Sequence, residues 1–428
     1  MSSAPGRAAT RRSPQPLEQS ILLTATLCLL AAGAVMVYSA SSARTLLQGH
    51  GDGTGYLIKY CLYGGLGLLV MRALSRGGLD AARRLTGPLL AVSFVLLLAV
   101  KVPHLGIKVN GAQRWLGAGF VQFQPSELMK LALVLYAAAL LARRPERVRS
   151  VSALARPLLV VAAAACLLIA VEPDIGTALV IGVTLAAVLI AAGVPWRVLA
   201  LLAAAAAAVV VLDALASPYS RARLTSFLHP YAHAGSSGFQ AVQGQIAIGS
   251  GGLLGVGPGR SVQKIFYLPE AHTDFILAVI GEELGLLGVS ALLFLYGLIA
   301  YAGLQAARAA RGAYARLVAV GITSMILCQA LLNVFAVLGL APLTGVPLPL
   351  VSYGSSNLVI VMAGMGLLLN VAGGASHLAA VTRRGARDAG DRKQRRWNED
   401  GAQADRDSRR RDRRARRARA GGGRRATG

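Results

Sequence analysis

A carboxylate closes a polar turn just ahead of a long apolar run: Leu268-Pro-Glu-Ala-His-Thr-Asp274 leads directly into Phe275-Ile-Leu-Ala-Val-Ile280. His272, Thr273 and Asp274 therefore stand where water gives way to an apolar helix, and an ionisable group in that place is a functional candidate by default. Apolar surroundings raise a carboxyl pKa toward the range of a general base. The competing role is structural, because Asp caps helix N-termini well. The residues alone leave both roles open for Asp274.

Other charges fall into two groups. Glu282 and Glu283, in Gly281-Glu-Glu-Leu-Gly285, lie about 12 Å deeper along the same helix at 1.5 Å per residue. Lys130, one turn after Glu127, is also inside an apolar segment. Buried charges of opposite sign pair, so Lys130 is expected to meet Glu282 or Glu283 in a polar cavity; a proton or lipid path is the alternative. The second group borders the polar connections. Arg114 adjoins Trp115 in Asn110-Gly-Ala-Gln-Arg-Trp115, a combination suited to a sugar diphosphate through indole stacking and guanidinium–phosphate contact, although an interfacial Trp is also an ordinary membrane anchor. Arg221, Arg223, Arg260 and Lys264 could bind an anionic lipid diphosphate or pair with Glu172, Asp174 or Glu270.

The glycine run Gly249-Ser-Gly-Gly-Leu-Leu-Gly-Val-Gly-Pro-Gly259 lacks the strand–helix setting and the lysine–hydroxyl pair of a nucleotide loop. It fits close packing of re-entrant segments. Cys28, Cys61, Cys166 and Cys328 share no metal or disulfide spacing and read as small apolar residues.

The elements that position these residues are membrane helices. Of 428 residues 55% are hydrophobic and 15% charged, against about 25% charged in soluble domains, and apolar runs recur throughout. The periodicity predicts an all-α polytopic membrane protein of about ten spans. They begin near Leu17–Tyr38, Tyr56–Met71 and a third run to Val102. Gln124-Pro-Ser-Glu127 opens the fourth; a fifth over Pro157–Val171 meets Glu172-Pro-Asp-Ile-Gly176. The sixth ends at Gly193 and the seventh at Leu215. After a large connection, Ser217–Thr273, the eighth runs from Asp274 to Leu304, the ninth over Leu317–Leu340, and the tenth, after the Ser352-Tyr-Gly-Ser-Ser356 turn, to Val371. Basic blocks follow spans two, four and eight and flank both ends. That side is cytoplasmic by the positive-inside rule, so the polar motifs converge on the outer surface, with the large loop between helices seven and eight.

The net charge is +25. Arg383 to Arg425 holds 18 basic and 7 acidic residues, a tail expected to be disordered and to meet anionic membrane lipids or a protein partner, not nucleic acid. Residues 1–16 are expected to be a disordered cytoplasmic segment, 17–372 the membrane domain and 373–428 the basic cytoplasmic tail. The first apolar run has no clear cleavage site and reads as a retained helix.

Together these motifs resemble the SEDS family (shape, elongation, division and sporulation), and its division members more than its elongation members. The matching pieces, in family order, are Asn110–Trp115, Gln124-Pro-Ser-Glu-Leu-Met-Lys130, Glu172-Pro-Asp-Ile-Gly-Thr177, Gln245-Ile-Ala-Ile-Gly-Ser-Gly-Gly252, Leu268–Phe275, Gly281–Gly285 and Pro347-Leu-Pro-Leu-Val-Ser-Tyr-Gly354. The resemblance implies a ten-helix fold and peptidoglycan glycosyltransferase activity on lipid II in the bacterial plasma membrane at the division septum. It also implies a class B penicillin-binding protein transpeptidase as partner, among other divisome proteins. It places the catalytic carboxylate at Asp274 and a functional tryptophan at Trp115. Where the family reads Ser-Tyr-Gly-Gly-Ser-Ser, this chain has Ser352-Tyr-Gly-Ser-Ser-Asn357.

In the mechanism these residues would support, Asp274 removes the acceptor hydroxyl proton while Arg114, Arg221, Arg223 and Lys264 steady the departing diphosphate. His272 and Ser352 complete the substrate-contact candidates. The residues single out no cofactor, a divalent cation (Mg or Mn) could assist, and no His/Cys cluster suggests a zinc site. The rival readings are a lipid II flippase, which needs the buried charges, and a non-catalytic scaffold, which needs neither.

Overall fold

The computed structural model describes residues 17–47, 53–109, 112–118, 121–143, 158–216, 218–236, 238–269, 271–374, 411 and 413. The expectations for residues 1–16, for the basic block Arg144–Arg149, for Asn110 and Glu270, and for nearly all of the tail lie outside the described residues. The chain divides into a compact unit through Gly374 and a second from Ala375; of the second only Arg411 and Arg413 are described, both helical.

The first unit is built from helices. They are α1 (Leu17–Leu47), α2 (Gly55–Val100), α3 (Pro125–Arg143), α4 (Val160–Val171), α5 (Ile175–Ala192), α6 (Trp196–Ala216), α7 (Pro218–Leu228), α8 (Phe239–Gly251), α9 (Ile276–Ala309), α10 (Ala313–Val337) and α11 (Ser355–Gly374). Seven of these are long and apolar enough to cross a membrane, and α4 and the first part of α6 are shorter apolar helices. Some hydroxyls inside them are satisfied locally: those of Thr26, Ser41 and Ser93 donate to the carbonyls of Leu22, Val37 and Leu89, four residues back, each at 2.7 Å. Such bonds let a hydroxyl sit in an apolar environment.

The expected second and third spans are one continuous helical element, α2. Its 46 residues amount to about 69 Å at 1.5 Å per residue, more than twice the thickness of a bilayer core of about 30 Å. Its contacts agree with an out-and-back course. Tyr60, near its start, donates to the Leu350 carbonyl at 2.5 Å, and Lys101, just past its end, to the Val171 carbonyl at 2.7 Å. Its middle lies at the opposite face, where the Ser75 carbonyl accepts from Asn370 at 3.0 Å and Arg83 stands over the Tyr314 ring.

Helices α1, α3, α9, α10 and α11 supply most of the buried core. Small residues set how closely they approach. A Cβ at Gly321 of α10 would come within 2.5 Å of Val134 on α3 and 2.9 Å of Val188 on α5.

One element departs from helix. The connection expected to be a polar loop contains a three-stranded antiparallel sheet, β1 (Gly106–Val109), β2 (Ala112–Ala118) and β3 (Val121–Phe123). Trp115 pairs across from Ile107, and Leu116 from both Gly106 and Phe123. The connection Ser217–Thr273 is itself largely helical, holding α7, α8 and a one-turn helix at Gln263–Phe266.

Candidate active site

Asp274 lies one residue ahead of the cap of α9. Phe275 holds the cap position and makes no side-chain cap bond, and the helix starts at Ile276. Asp274 is thus not the N-cap that the sequence allowed it to be. Its Oδ1 accepts from Thr273 Oγ1 at 2.9 Å, and its carbonyl accepts from Asn333 Nδ2 of α10 at 2.8 Å. The same amide nitrogen also donates to the Val346 carbonyl at 2.9 Å, so Asn333 ties the Asp274 turn to the 344–346 turn. There Gly345 has φ +70, and a Cβ on it would sit 3.9 Å from Asp274 Oδ2. The carboxylate is half-buried and faces a turn that carries no side chain at that point.

His272 is buried against Tyr56, with ring centroids 4.2 Å apart, and its carbonyl accepts the Tyr353 N–H at 2.9 Å. Ser352 is buried as well; its Oγ accepts the Leu348 N–H at 2.8 Å and so holds the turn before α11.

The deeper charges are paired differently from the sequence expectation. Lys130 does not meet Glu282 or Glu283. Its Nζ is 2.8 Å from Glu127 Oε1 on the same helix face, and Glu127 Oε2 accepts from Asn357, which also donates to Gln329 at 2.9 Å. Three-residue spacing on α3 already places the two charges side by side. Glu283 pairs instead with Lys264 Nζ at 2.7 Å, and Ser39 of α1 donates to both of its oxygens at 2.7 and 2.8 Å. Lys264, expected to face a diphosphate, is buried and committed to this contact. Glu282 accepts from Ser261 Oγ and from the Val262 N–H at 2.9 Å.

The glycine run is welded to the middle of α9. At Gly285 the helix is broken, with φ 65 and ψ −162. Across the break Val256 and Gly257 donate to the carbonyls of Glu282 and Glu283 at 2.9 and 3.1 Å, and Leu286 and Leu287 donate to Gly252 and Leu253 at 2.9 and 3.2 Å. Glycine is needed on both sides: a Cβ at Gly285 would meet the Gly255 nitrogen and lie 2.6 Å from the Leu253 carbonyl oxygen.

The sheet docks on the turn between α4 and α5. Arg114 donates to the carbonyls of Glu172, at 2.9 Å, and Pro173, while its guanidinium is 3.9 Å from Asp174. It therefore serves this turn, and neighbouring Trp115 is half-buried in β2. Asp174 caps α5 by accepting the Thr177 N–H at 3.3 Å and also accepts from Gln124 at 3.0 Å. Glu172 is fully buried, and among the described residues neither carboxylate oxygen has a hydrogen-bond partner. Burial first, and Asp174 second, push its carboxyl up to about 8, against the opposing pull of Lys101 and Arg114. Where the chain departs from the Ser-Tyr-Gly-Gly pattern, Ser355 donates to the Gln122 carbonyl at 2.8 Å and Ser356 accepts the Gln124 N–H at 2.8 Å, pinning β3 to the start of α11.

Arg221 and Arg223 sit on α7, the first exposed and the second half-buried. Arg223 lines a small open groove with Ser226, Phe227, Gln245, Gly339 and Leu343. Leu343 is two residues from the glycine that faces Asp274. Among the described residues no three His, Cys, Asp or Glu side chains gather as a metal-binding group.

The structure thus brings Asp274, His272 and Ser352 together with Tyr56, Tyr353 and Asn333, which the sequence reading passed over. A lone Asn in an apolar span was the available signal for Asn333; Tyr353 stood inside the Ser352-Tyr-Gly-Ser-Ser356 turn without a role of its own, and nothing local marked Tyr56.

Residues 19–377 match the model of the FtsW, RodA and SpoVE family, described as cell cycle protein. A relative from Coxiella burnetii named "Probable peptidoglycan glycosyltransferase FtsW" is 40% identical over 82% of this chain and 95% of its own length. Stage V sporulation protein E of Bacillus subtilis is 37% identical over 82% of this chain and 96% of its own. Among solved structures, a chain from work on structural coordination of polymerization and crosslinking by a peptidoglycan synthase complex is 33% identical with a TM-score of 0.68, covering 82% of this chain and 96% of that one. The rod shape determining protein RodA of Thermus thermophilus is 30% identical with a TM-score of 0.59, covering 82% and 95%.

Proposed function

From the premise that this chain belongs to the FtsW, RodA and SpoVE family of cell cycle proteins, we propose that it is a membrane peptidoglycan glycosyltransferase that polymerises lipid II during cell division. The relatives named as FtsW support the division role. The observation that carries the chemistry is the half-buried Asp274 carboxylate, steadied by Thr273 and facing the bare turn at Gly345. There it removes the proton of the acceptor's N-acetylglucosamine 4-hydroxyl as that oxygen attacks the anomeric carbon of the donor, a glycan still joined to undecaprenyl diphosphate. Single displacement inverts that centre. The diphosphate is a good leaving group, so no second carboxylic acid of the kind glycosidases use is required. Arg223, which lines the groove that reaches Leu343, and Arg221, exposed on the same helix, are the cations offered to it.

The buried charges speak against a flippase path, since Lys130 and Lys264 are each closed onto a carboxylate within 3 Å. A divalent cation brought by the diphosphate would find Asp274 as its protein ligand; activity retained after chelation with EDTA would remove that role. The likeness to a peptidoglycan synthase complex supports a class B penicillin-binding protein as partner. Residues 17–372 form the catalytic domain, with ten crossings, both termini cytoplasmic and Asp274 outward. Single cysteines at Ser236 and Arg311 then label from opposite sides of the membrane; same-side labelling refutes the topology.

Asp274→Asn tests the chemistry. It keeps size and polarity and removes the base, so polymerisation by the purified protein with its partner falls at least about 10²-fold, while lipid II binding is retained. Near-normal polymerisation would place the base elsewhere.

A further inference from the structure

Three aromatic rings from three distant segments meet at His272, in the turn that leads to Asp274. Tyr56 opens α2, His272 lies two residues before Asp274, and Tyr353 lies in the turn before α11. The His272 centroid is 4.2 Å from that of Tyr56 and 5.7 Å from that of Tyr353. The two tyrosines meet edge-on, 5.2 Å apart at 87°. The Tyr353 N–H to His272 carbonyl bond at 2.9 Å fastens the cluster to the backbone that carries Asp274. Both tyrosines are half-buried, whereas His272 is buried.

Aromatic residues at a membrane boundary are ordinary anchors. An anchor, however, presents its ring to lipid, and these rings face one another across three segments. Ligand sites are typically lined by aromatic side chains with a few placed polar groups, and tyrosine offers both an apolar face and a hydroxyl. An amino-sugar ring has the matching surfaces: a C–H face for the rings and hydroxyl edges for the phenols. Burial, with Tyr63 and Tyr56 nearby, pushes the Tyr353 phenol up to about 12, so it remains a hydrogen-bond donor.

We propose that Tyr56, His272 and Tyr353 form an aromatic seat that holds the acceptor's terminal N-acetylhexosamine ring against Asp274. This rests on the glycosyltransferase reading. The ring beside the base must be the one that loses a proton, and that is the acceptor; the donor is attacked at carbon and needs no contact with the base. The tyrosines are positioning residues, and the seat reads the sugar, not the lipid or the diphosphate.

Two ligands separate those parts: undecaprenyl-diphosphate disaccharide pentapeptide, and its counterpart lacking the terminal N-acetylglucosamine. Their dissociation constants are measured on full-length Asp274→Asn protein, which binds without turnover. The seat predicts that the disaccharide ligand binds more tightly. Tyr56→Leu and Tyr353→Leu each shrink that preference about two- to tenfold, while affinity for the shorter ligand hardly changes; Tyr→Phe at either position keeps most of it. Tyr→Met variants replace the Leu variants if thermal unfolding shows the latter to be damaged. A preference unchanged in folded Leu or Met variants, or both ligands weakened equally, overturns the seat and leaves a packing cluster. Because this readout is binding, it is independent of whether wild-type protein makes glycan, the result on which the enzyme reading stands or falls.

Discussion

Replacing Lys264 with methionine would leave the Glu283 carboxylate in the protein interior without its cation. Glu283 is 1% and Lys264 3% exposed, and their contact is 2.7 Å. Removing one partner of such a pair costs about 3–5 kcal/mol, because the remaining charge stays desolvated. At about 1.4 kcal/mol per decade, that is two to nearly four powers of ten in the unfolding equilibrium. The Ser39 hydroxyl, 2.7 and 2.8 Å from the Glu283 oxygens, softens this cost without supplying charge. Glu283→Gln in the same chain removes the stranded charge, so the double variant should be more stable than Lys264→Met alone by about 1–3 kcal/mol. The assay is reversible unfolding in mixed micelles, run as a double-mutant cycle. Strict additivity would refute the contact. A Lys264→Met protein of normal stability but weakened lipid II binding would instead return Lys264 to the diphosphate.

Gly285→Ala should destabilise the protein by about 1–3 kcal/mol, because φ 65 with ψ −162 is a conformation open almost only to glycine; unfolding in the same micelles checks it. Glu172 makes stability pH-dependent. Its folded carboxyl is raised to about 8 from an ordinary value of 4.5, so the folded state holds a proton that the unfolded state releases. Stability is then full below about 4.5 and falls as pH rises toward 8, by at most about 1.4 kcal/mol per unit; Glu172→Gln should flatten this slope in a pH series of unfolding curves. Ser355→Gly removes the bond to the Gln122 carbonyl and should cost about 1 kcal/mol, seen as faster hydrogen exchange in β3 with α11 unchanged.

Apolar runs made the helical architecture legible, since a segment such as Ala313–Val337 has no other stable place. Helix boundaries and partners were less so. The Asp274 turn was placed correctly at the mouth of a helix, but one residue separates a cap from a carboxylate that stands ahead of the cap, and only backbone geometry decides that. Lys130 was assigned to a distant glutamate although Glu127, three residues away, already satisfied the spacing of a same-helix pair. Lys264 and Glu283 are 19 residues apart with a reversal between them, and no periodic pattern reports such a contact. The strands of 106–123 are short and mix glycine with charge, so neither alternation nor an apolar face marked them. The tyrosines of the cluster are 297 positions apart in sequence, and only the packing of α2 against the turn before α11 joins them.

The break in α9 has a consequence for how the protein is made. A helix interrupted at Gly285 leaves backbone donors and acceptors open within an apolar segment, where an unpaired group costs several kcal/mol. Here the open groups are filled by residues 252–257, which precede the break in the chain. The filling segment has therefore left the ribosome before the helix it completes. The helix can first enter the bilayer as an unbroken rod, with every amide paired internally, and exchange those bonds for the glycine segment afterwards. Bilayer insertion and maturation of the Asp274 site then become separate events in biogenesis, and a glycine-segment variant should accumulate as inserted, full-length protein with an unfinished site.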